Sequence, residues 1–368
     1  MPISADSLAM QLRDKPLPLV RLAAVLWAKG KKDEAQAACL HALEVGADQP
    51  EVVMLARDLL ARDVPKWHFA IVRDQVRNDA YEAALKRAVG PESHVMEIGT
   101  GSGILSMMAA RAGAGRVTTF EMNPMVADAA RRIIARNGHD DRITLVAKKS
   151  SDALVGEDVD GRADILVQEI ISNDLLGEAV LPAIEDATKR LLKPGARMIP
   201  AVVAAQVALI DDEDAGHRRM DTVSGFDLSD FNHLGVPFYR MSSDRKGLSL
   251  RSEPVELMRF DLQSGGPFPS SRTTATLTAN GGRVTGIVQW LKMDMDDKGD
   301  LIYENRPGAG VRSCWAVRIF PLDQPRDLAP GTTVRIGAQH DRNTIMIWCD
   351  GVDAAAATTA TATATAVA

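Results

Sequence analysis

Cysteine is scarce and scattered in this chain: Cys39, Cys314 and Cys349 lie far apart, with no CxxC pair and no metal-ligand spacing. That excludes a disulfide framework and a structural metal module, and it points to a reducing, cytoplasmic setting. No run of about 18 apolar residues occurs, so no membrane span is implied. Met1-Pro2-Ile3-Ser4-Ala5-Asp6 shows neither the basic start nor the apolar stretch of a secretory leader. Positive charge is not in excess either. Lys and Arg number 43 against 49 Asp and Glu, a formal net charge of −6, which argues against nucleic acid as a main partner and suits a basic substrate. What is present is ordinary for a globular protein: 46% hydrophobic and 25% charged residues in 368, enough for two or three domains.

The most informative stretch runs from Asp164 to Glu178. It opens as a buried apolar strand, Ile165 to Val167, and breaks into a polar turn, Ser172-Asn173-Asp174. Glu169 and Glu178 flank that turn, nine positions apart. On a continuous helix nine residues turn through roughly 900°, which sets the two acids on opposite faces. Folded as a hairpin, the same spacing brings both to one mouth. Paired carboxylates repel, and one tends to keep a proton unless a cation sits between them. A guanidinium, flat and with forked donors, is the matching guest. Taken alone, two acids beside a turn make an ordinary solvated loop; the context upstream decides.

Residues 17 to 62 read as three amphipathic helices, broken at Lys29-Gly30-Lys31 and between Gly46 and Pro50. Leu22, Leu26, Gly30, Ala35, Ala42 and Leu43 fall where a tetratricopeptide repeat places its large, small and turn residues. About one and a half such repeats do not stand alone, so the segment packs on the next domain, as a helical cap or as a peptide-binding arm. A helix leading into another follows over Val64 to Tyr81. Next, a strand ends in a glycine turn, Val95-Met96-Glu97-Ile98-Gly99-Thr100-Gly101-Ser102-Gly103, with a helix from Ile104. Such glycines let a ligand approach the backbone, and the helix start offers free N–H groups. A second strand, Arg116 to Phe120, ends in Glu121, where an acid grips ribose hydroxyls. The GxGxG turn with an acid before it favours S-adenosylmethionine over a dinucleotide, whose fingerprint is GxGxxG. A third strand, Ile143 to Val146, precedes Lys149-Ser150-Ser151-Asp152, and a helix over about Pro182 to Leu192 ends in Lys193-Pro194-Gly195.

This alternation predicts an α/β fold with a doubly wound parallel sheet. After Pro200 the pattern becomes seven short strands, 201–210, 253–262, 272–278, 284–293, 311–321, 332–338 and 344–349, separated by Gly, Pro, Asp or Asn. They predict an antiparallel barrel or sandwich, with 211–251 as an excursion from the sheet. The domain reading is therefore 1–63 helical, 64–200 Rossmann-like, 201–353 β-barrel, and 354–368 a disordered Ala/Thr tail.

Together these pieces resemble the protein arginine methyltransferase family over about Pro65 to Gly351. Glu169 and Glu178 match the family's two hairpin acids. Glu97 to Ser106 matches its S-adenosylmethionine loop, Glu121 its ribose acid, and Leu192-Lys193-Pro194-Gly195 its following turn. His68, Asp74 and Arg77 match the helix over the cofactor, with Arg77 facing the methionine carboxylate. The wording around Leu105-Ser106-Met107-Met108 and Gly177-Glu178 is similar to the monomethylating (type III) subfamily. The resemblance implies His68, Arg77, Glu97, Gly99, Gly101, Gly103, Glu121 and Ser151 as cofactor-binding, Glu169 and Glu178 as catalytic, and Trp315 as a wall of the arginine slot. It also implies a homodimer, with an arm within 211–251. Two departures stand out. Positions 58–62 lack the family's cofactor-covering aromatics, and the loop Ser313-Cys314-Trp315 lacks the histidine that pairs with the acid at Asp74.

The chemistry follows from the acceptor. A guanidinium is a poor nucleophile, because its lone pairs are delocalised and its pKa exceeds 12. Two carboxylates gripping different nitrogens hold the positive charge away from the reacting nitrogen and counter repulsion from the sulfonium. The expected activity is methyl transfer from S-adenosylmethionine to arginine in protein or peptide; the alternative is free L-arginine or another small guanidine. A non-catalytic scaffold is a third reading, and the presence of both acids with a full cofactor loop argues against it.

Overall fold

The computed structural model describes residues 5–308, 310 and 312–353. The expected Ala/Thr tail, 354–368, lies outside them. Four helices come first: α1 (Ala5–Gln11), α2 (Pro16–Ala28), α3 (Lys32–Val45) and α4 (Pro50–Leu60). Three were expected, and α1 precedes them. Proline in the first turn starts α2 and α4, where its missing N–H costs nothing. The small residues Ala35, Ala38, Cys39 and Ala42 on α3 allow close packing against Leu19, Val20 and Leu26. This helical core is separate from that of the remaining chain.

Two helices, α5 (Trp67–Arg73) and α6 (Gln75–Ala88), meet at Asp74. Its carboxylate caps α6 by accepting from the Arg77 backbone N–H at 2.9 Å. The strands β1 (His94–Ile98), β2 (Arg116–Phe120), β3 (Ile143–Val146), β4 (Ala163–Gln168) and β5 (Leu192–Ile199) form one sheet in the order β3-β2-β1-β4-β5. All its pairings are parallel. Helices α7 (Ile104–Arg111), α8 (Pro124–Arg136) and α9 (Val180–Arg190) supply crossovers. The order reverses beside β1, so ligand-binding loops converge at its carboxyl end. β5 escapes the sequence reading because Lys193-Pro194-Gly195 resembles a turn. Here it is a bulge inside the strand, with Gly195 at φ +74° and the register shifting between Ala163 and Ile165.

After β5 the chain builds two antiparallel sheets. The larger has Val202–Asp212, Gly282–Asp294 and Val317–Leu328 at its centre; the smaller joins Ser271–Thr278, Thr333–His340 and Ile345–Asp353. The strand expected from 311 begins at Val317, because Ser313-Cys314-Trp315 forms a loop instead. Part of 211–251 leaves the sheet as foreseen: a short hairpin, Thr222–Val223 with Phe226–Asp227, and a 3-10 turn, Ser229–Leu234. Phe226, Phe231, Leu234 and Val236 are exposed there. The antiparallel sheets share one continuous core with the parallel sheet, and that joint places the second domain against the loop after β4.

Candidate active site

The carboxyl ends of the central strands open on a cavity of about 390 Å³. Gly99, Gly101 and Gly103 follow β1 at φ +88°, +51° and +82°, conformations that side chains disfavour. A Cβ on Gly99 would meet Ile170 at 2.9 Å. One on Gly101 would meet nothing nearer than His68 at 3.9 Å, so the Gly101 backbone is open to the cavity. Gly103 does not line it. It starts α7 and packs against Ile134, where a Cβ would come within 3.0 Å.

Glu97 is buried on β1. Its Oε2 accepts from the Thr119 hydroxyl at 2.8 Å and from the Ser106 hydroxyl, while its Oε1 has no partner. Burial raises its carboxyl to about 7, against the pull of those two donors. Glu121, after β2, accepts from the N–H groups of Gly101 and Asn123, each at 2.9 Å. Burial pushes its pKa up too. Ser151 lines the next wall with Lys148, Lys149 and Ser150. His68 is half-buried against the Trp67 ring, centroids 3.9 Å apart, and burial lowers its pKa, favouring the neutral imidazole.

Arg77 lies at the cavity floor, 2% exposed. One Nη donates to Glu169 at 3.0 Å and the other to Asn78 at 2.8 Å, and the group stacks 4.7 Å from the Tyr81 ring. Its Nε and Glu169 Oε1 are buried without hydrogen-bond partners among the described residues. Burial raises Glu169 to about 7, with Arg77 opposing and Glu178 adding to the rise. Glu178 is raised by burial, then by Glu121 and Asp174. The two acids of the hairpin therefore line one cavity with the glycine turn and Glu121, as the hairpin reading requires and a continuous helix would forbid.

The loop between them is held under strain. Leu175 and Ala179 have φ of +71° and +57°, left-handed values that non-glycine residues avoid. Gly177 N–H donates to Ser172 Oγ at 2.8 Å and to Asp174 Oδ1 at 3.1 Å, closing the turn. Clamps from the second domain complete it: Trp315 Nε1 donates to the Ile171 carbonyl at 2.7 Å, and Ala316 N–H to Asn173 Oδ1 at 2.6 Å. Trp315 does not line the cavity. It is buried edge-on to Tyr303 and acts on the slot from behind, through the loop it braces. Asp74 keeps its link to the Ser313-Cys314-Trp315 loop without a histidine: its Oδ2 accepts from the Cys314 N–H at 2.8 Å and from the Tyr303 hydroxyl at 3.2 Å.

The sequence reading missed Asp63, Met122 and Lys148, all in the cavity wall. Asp63 joins the helical segment to the site. Its carboxylate accepts from Lys32 and Gln36 of α3 at 2.9 and 3.1 Å, and its carbonyl from Asn123 at 3.0 Å. With Pro65 and Trp67 it lines the cavity, and no residue pattern announces it.

These groups fit S-adenosylmethionine. A glycine turn open to the cavity and Glu121 suit the adenosine, while the unpartnered oxygen on Glu97 and the Arg77 guanidinium suit an amino-acid end. Fold and site together define a methyltransferase of the Rossmann-like, S-adenosylmethionine-dependent class. Comparisons agree. Residues 82–215 match the family model described as ribosomal protein L11 methyltransferase (PrmA). An arginine N(omega)-methyltransferase of Streptomyces achromogenes subsp. streptozoticus is 36% identical over 293 residues, 78% of this chain and 80% of that protein. Protein arginine N-methyltransferase 7 of Aedes aegypti is 46% identical over 282 residues, 67% of this chain but only 39% of its own length. A solved Trypanosoma brucei PRMT1 enzyme-prozyme heterotetrameric complex with AdoHcy superposes with a TM-score of 0.67 at 22% identity, over 78% of this chain and 96% of that one. The chain belongs to the arginine N-methyltransferase family, and S-adenosylmethionine is its methyl donor.

Proposed function

We propose that Glu169 and Glu178 grip the acceptor guanidino group and that free L-arginine is its carrier, ahead of arginine in a peptide. Support for the grip is one observation: both carboxylates line the cavity that holds the glycine turn and Glu121. Support for the acceptor comes from a relative: a protein named arginine N(omega)-methyltransferase is 36% identical, and this chain covers 80% of it. Bound S-adenosylmethionine supplies an electrophilic methyl group. The chain's own residues do the rest. Glu178 orients the guanidinium and holds its charge away from the reacting nitrogen. Glu169 positions the group, with Arg77 sharing its charge, and Glu178 or water takes the proton after attack. Because the carboxylates must be ionised, acceptor binding weakens as pH falls through about 7, where Glu169 titrates.

The same reading takes the helical segment as a cap joined to the cofactor cavity through Asp63, the protein as cytoplasmic, and the exposed apolar 211–251 excursion as a homodimer arm. A strictly monomeric active protein in sedimentation would remove the arm from this account. The acceptor is tested by incubating the protein with labelled S-adenosylmethionine and either free arginine or an Arg-Gly-rich peptide, and resolving the products by mass spectrometry. Label in free arginine is expected; label in the peptide alone reverses the choice of acceptor.

A further inference from the structure

Arg318, on the central strand Val317–Leu328, has no exposed surface. Its guanidinium lies 3.9 Å from the Phe238 ring and 5.0 Å from the Phe320 ring. One Nη donates to the Ile345 carbonyl at 2.9 Å and, more distantly, to Gln289 Oε1 at 3.4 Å. Nε and the other Nη have no hydrogen-bond partner among the described residues, nor does Gln289 Nε2. A charge so enclosed is expensive to the fold, and a methionine would fill an apolar site more cheaply. Its nearest counter-charge is Asp174, one carboxylate oxygen lying 3.8 Å away. Asp174 belongs to the loop that carries Glu178, and its other oxygen accepts from Gly177 N–H and the Ser172 hydroxyl. The oxygen facing Arg318 also accepts from Thr344 Oγ1 at 3.2 Å. Arg318 thus reaches the acceptor acids only through Asp174, and it does not line the cavity.

We propose that Arg318 is a positioning residue for the acceptor: paired with Asp174, it fixes the turn that presents Glu178, without touching acceptor or donor. The proposal rests on the assignment of Glu178 to the acceptor. Two charge effects follow. Glu178 faces Asp174, Glu121 and Glu169, all acids, so an Asp174 stripped of its counter-charge holds a proton on Glu178 more strongly. Arg240 also acts on Arg318 and opposes its protonation.

The test compares wild type with Arg318→Met, Arg318→Lys, Asp174→Asn and the Arg318→Met/Asp174→Asn pair, using free arginine and an Arg-Gly-rich peptide as acceptors. Arg318→Met is expected to raise the acceptor KM about tenfold while the Kd for S-adenosylmethionine stays within about twofold, because the donor groups do not depend on this loop. The acid limb of kcat/KM should move up by about half a pH unit, return when Asp174→Asn is added, and recover most of the way in Arg318→Lys. Equal loss of donor and acceptor affinity, an unmoved acid limb, or strictly additive variants would overturn the proposal and leave Arg318 a plain structural residue. Should Arg318→Met fail to fold, Arg318→Gln, which also removes the charge, carries the same split. If wild type methylates neither acceptor, the functional assignment falls, and the positioning claim is then read by amide hydrogen exchange. Faster exchange in Arg318→Met, or in Arg318→Gln where Met does not fold, confined to 172–178 supports it, and unchanged exchange overturns it.

Discussion

The proposed donor and acceptor halves of the cavity are built by different means. On the proposed donor side, the two acids are set by nearer neighbours: Glu121 accepts from Asn123 two positions on and Gly101 twenty back, and Glu97 from Ser106 nine on and Thr119 twenty-two on. On the acceptor side, the loop between Glu169 and Glu178 is clamped by Trp315, Ala316 and Thr344, which lie 144, 143 and 170 positions from their partners. One half is a property of the parallel sheet; the other exists only when the second domain is docked. It follows that the two ligands respond to different mutations.

The largest effect is expected at Glu178→Gln. On the proposed grip it removes one of two anions that hold the acceptor and no hydrogen bond of the donor half, so turnover should fall on the order of 10²–10³-fold. The Kd for S-adenosylmethionine, measured by titration calorimetry, should stay within about threefold. A parallel loss of donor affinity would merge the halves that the structure separates.

Gly101→Val probes the opposite side. The protein has room for the new Cβ, since only His68 lies near, at 3.9 Å. The damage comes from a branched side chain at φ +51° filling space meant for the donor. Donor affinity should fall by at least about 10²-fold, while the fold, judged by circular dichroism, persists. Normal donor binding would show that the glycine turn is not the cradle.

The same asymmetry explains what the sequence made legible. Donor residues could be read because their spacing is fixed by one strand, one turn and one helix, and each of Glu97, Gly99, Gly101 and Glu121 sits in the cavity wall or floor. Gly103 was read as a ligand contact but serves packing, a distinction that depends on where Ile134 lies. On the acceptor side, the acids were legible as a pair, yet the clamps were not. Nothing in the text around Trp315 tells whether its ring faces the slot or its Nε1 braces Ile171. Asp63 was missed for a similar reason: its role comes from Asn123, sixty positions away. β5 was hidden because Lys-Pro-Gly has the composition of a turn, and only its pairing to β4 makes it a strand.

The smallest expected effect concerns stability, and it sharpens the comparison from the donor side. Glu97 is fully buried and its carboxyl is raised from 4.5 to about 7, mainly by loss of solvent. A group whose pKa is higher folded than unfolded binds its proton more tightly in the native state. Its contribution is therefore complete below the unfolded value and is lost as pH rises through about 7. Glu97→Gln keeps an acceptor for Thr119 and Ser106 but cannot ionise. Relative to wild type, the ligand-free variant should gain little at pH 4 and about 2–3 kcal/mol at pH 8, seen as a pH-dependent difference in melting temperature. The gain should shrink when S-adenosylmethionine is added, since a cationic ligand stabilises the ionised wild type by preference. A variant no more stable than wild type at pH 8 would mean that Glu97 stays ionised at little cost, and that its bare Oε1 is already compensated without a ligand.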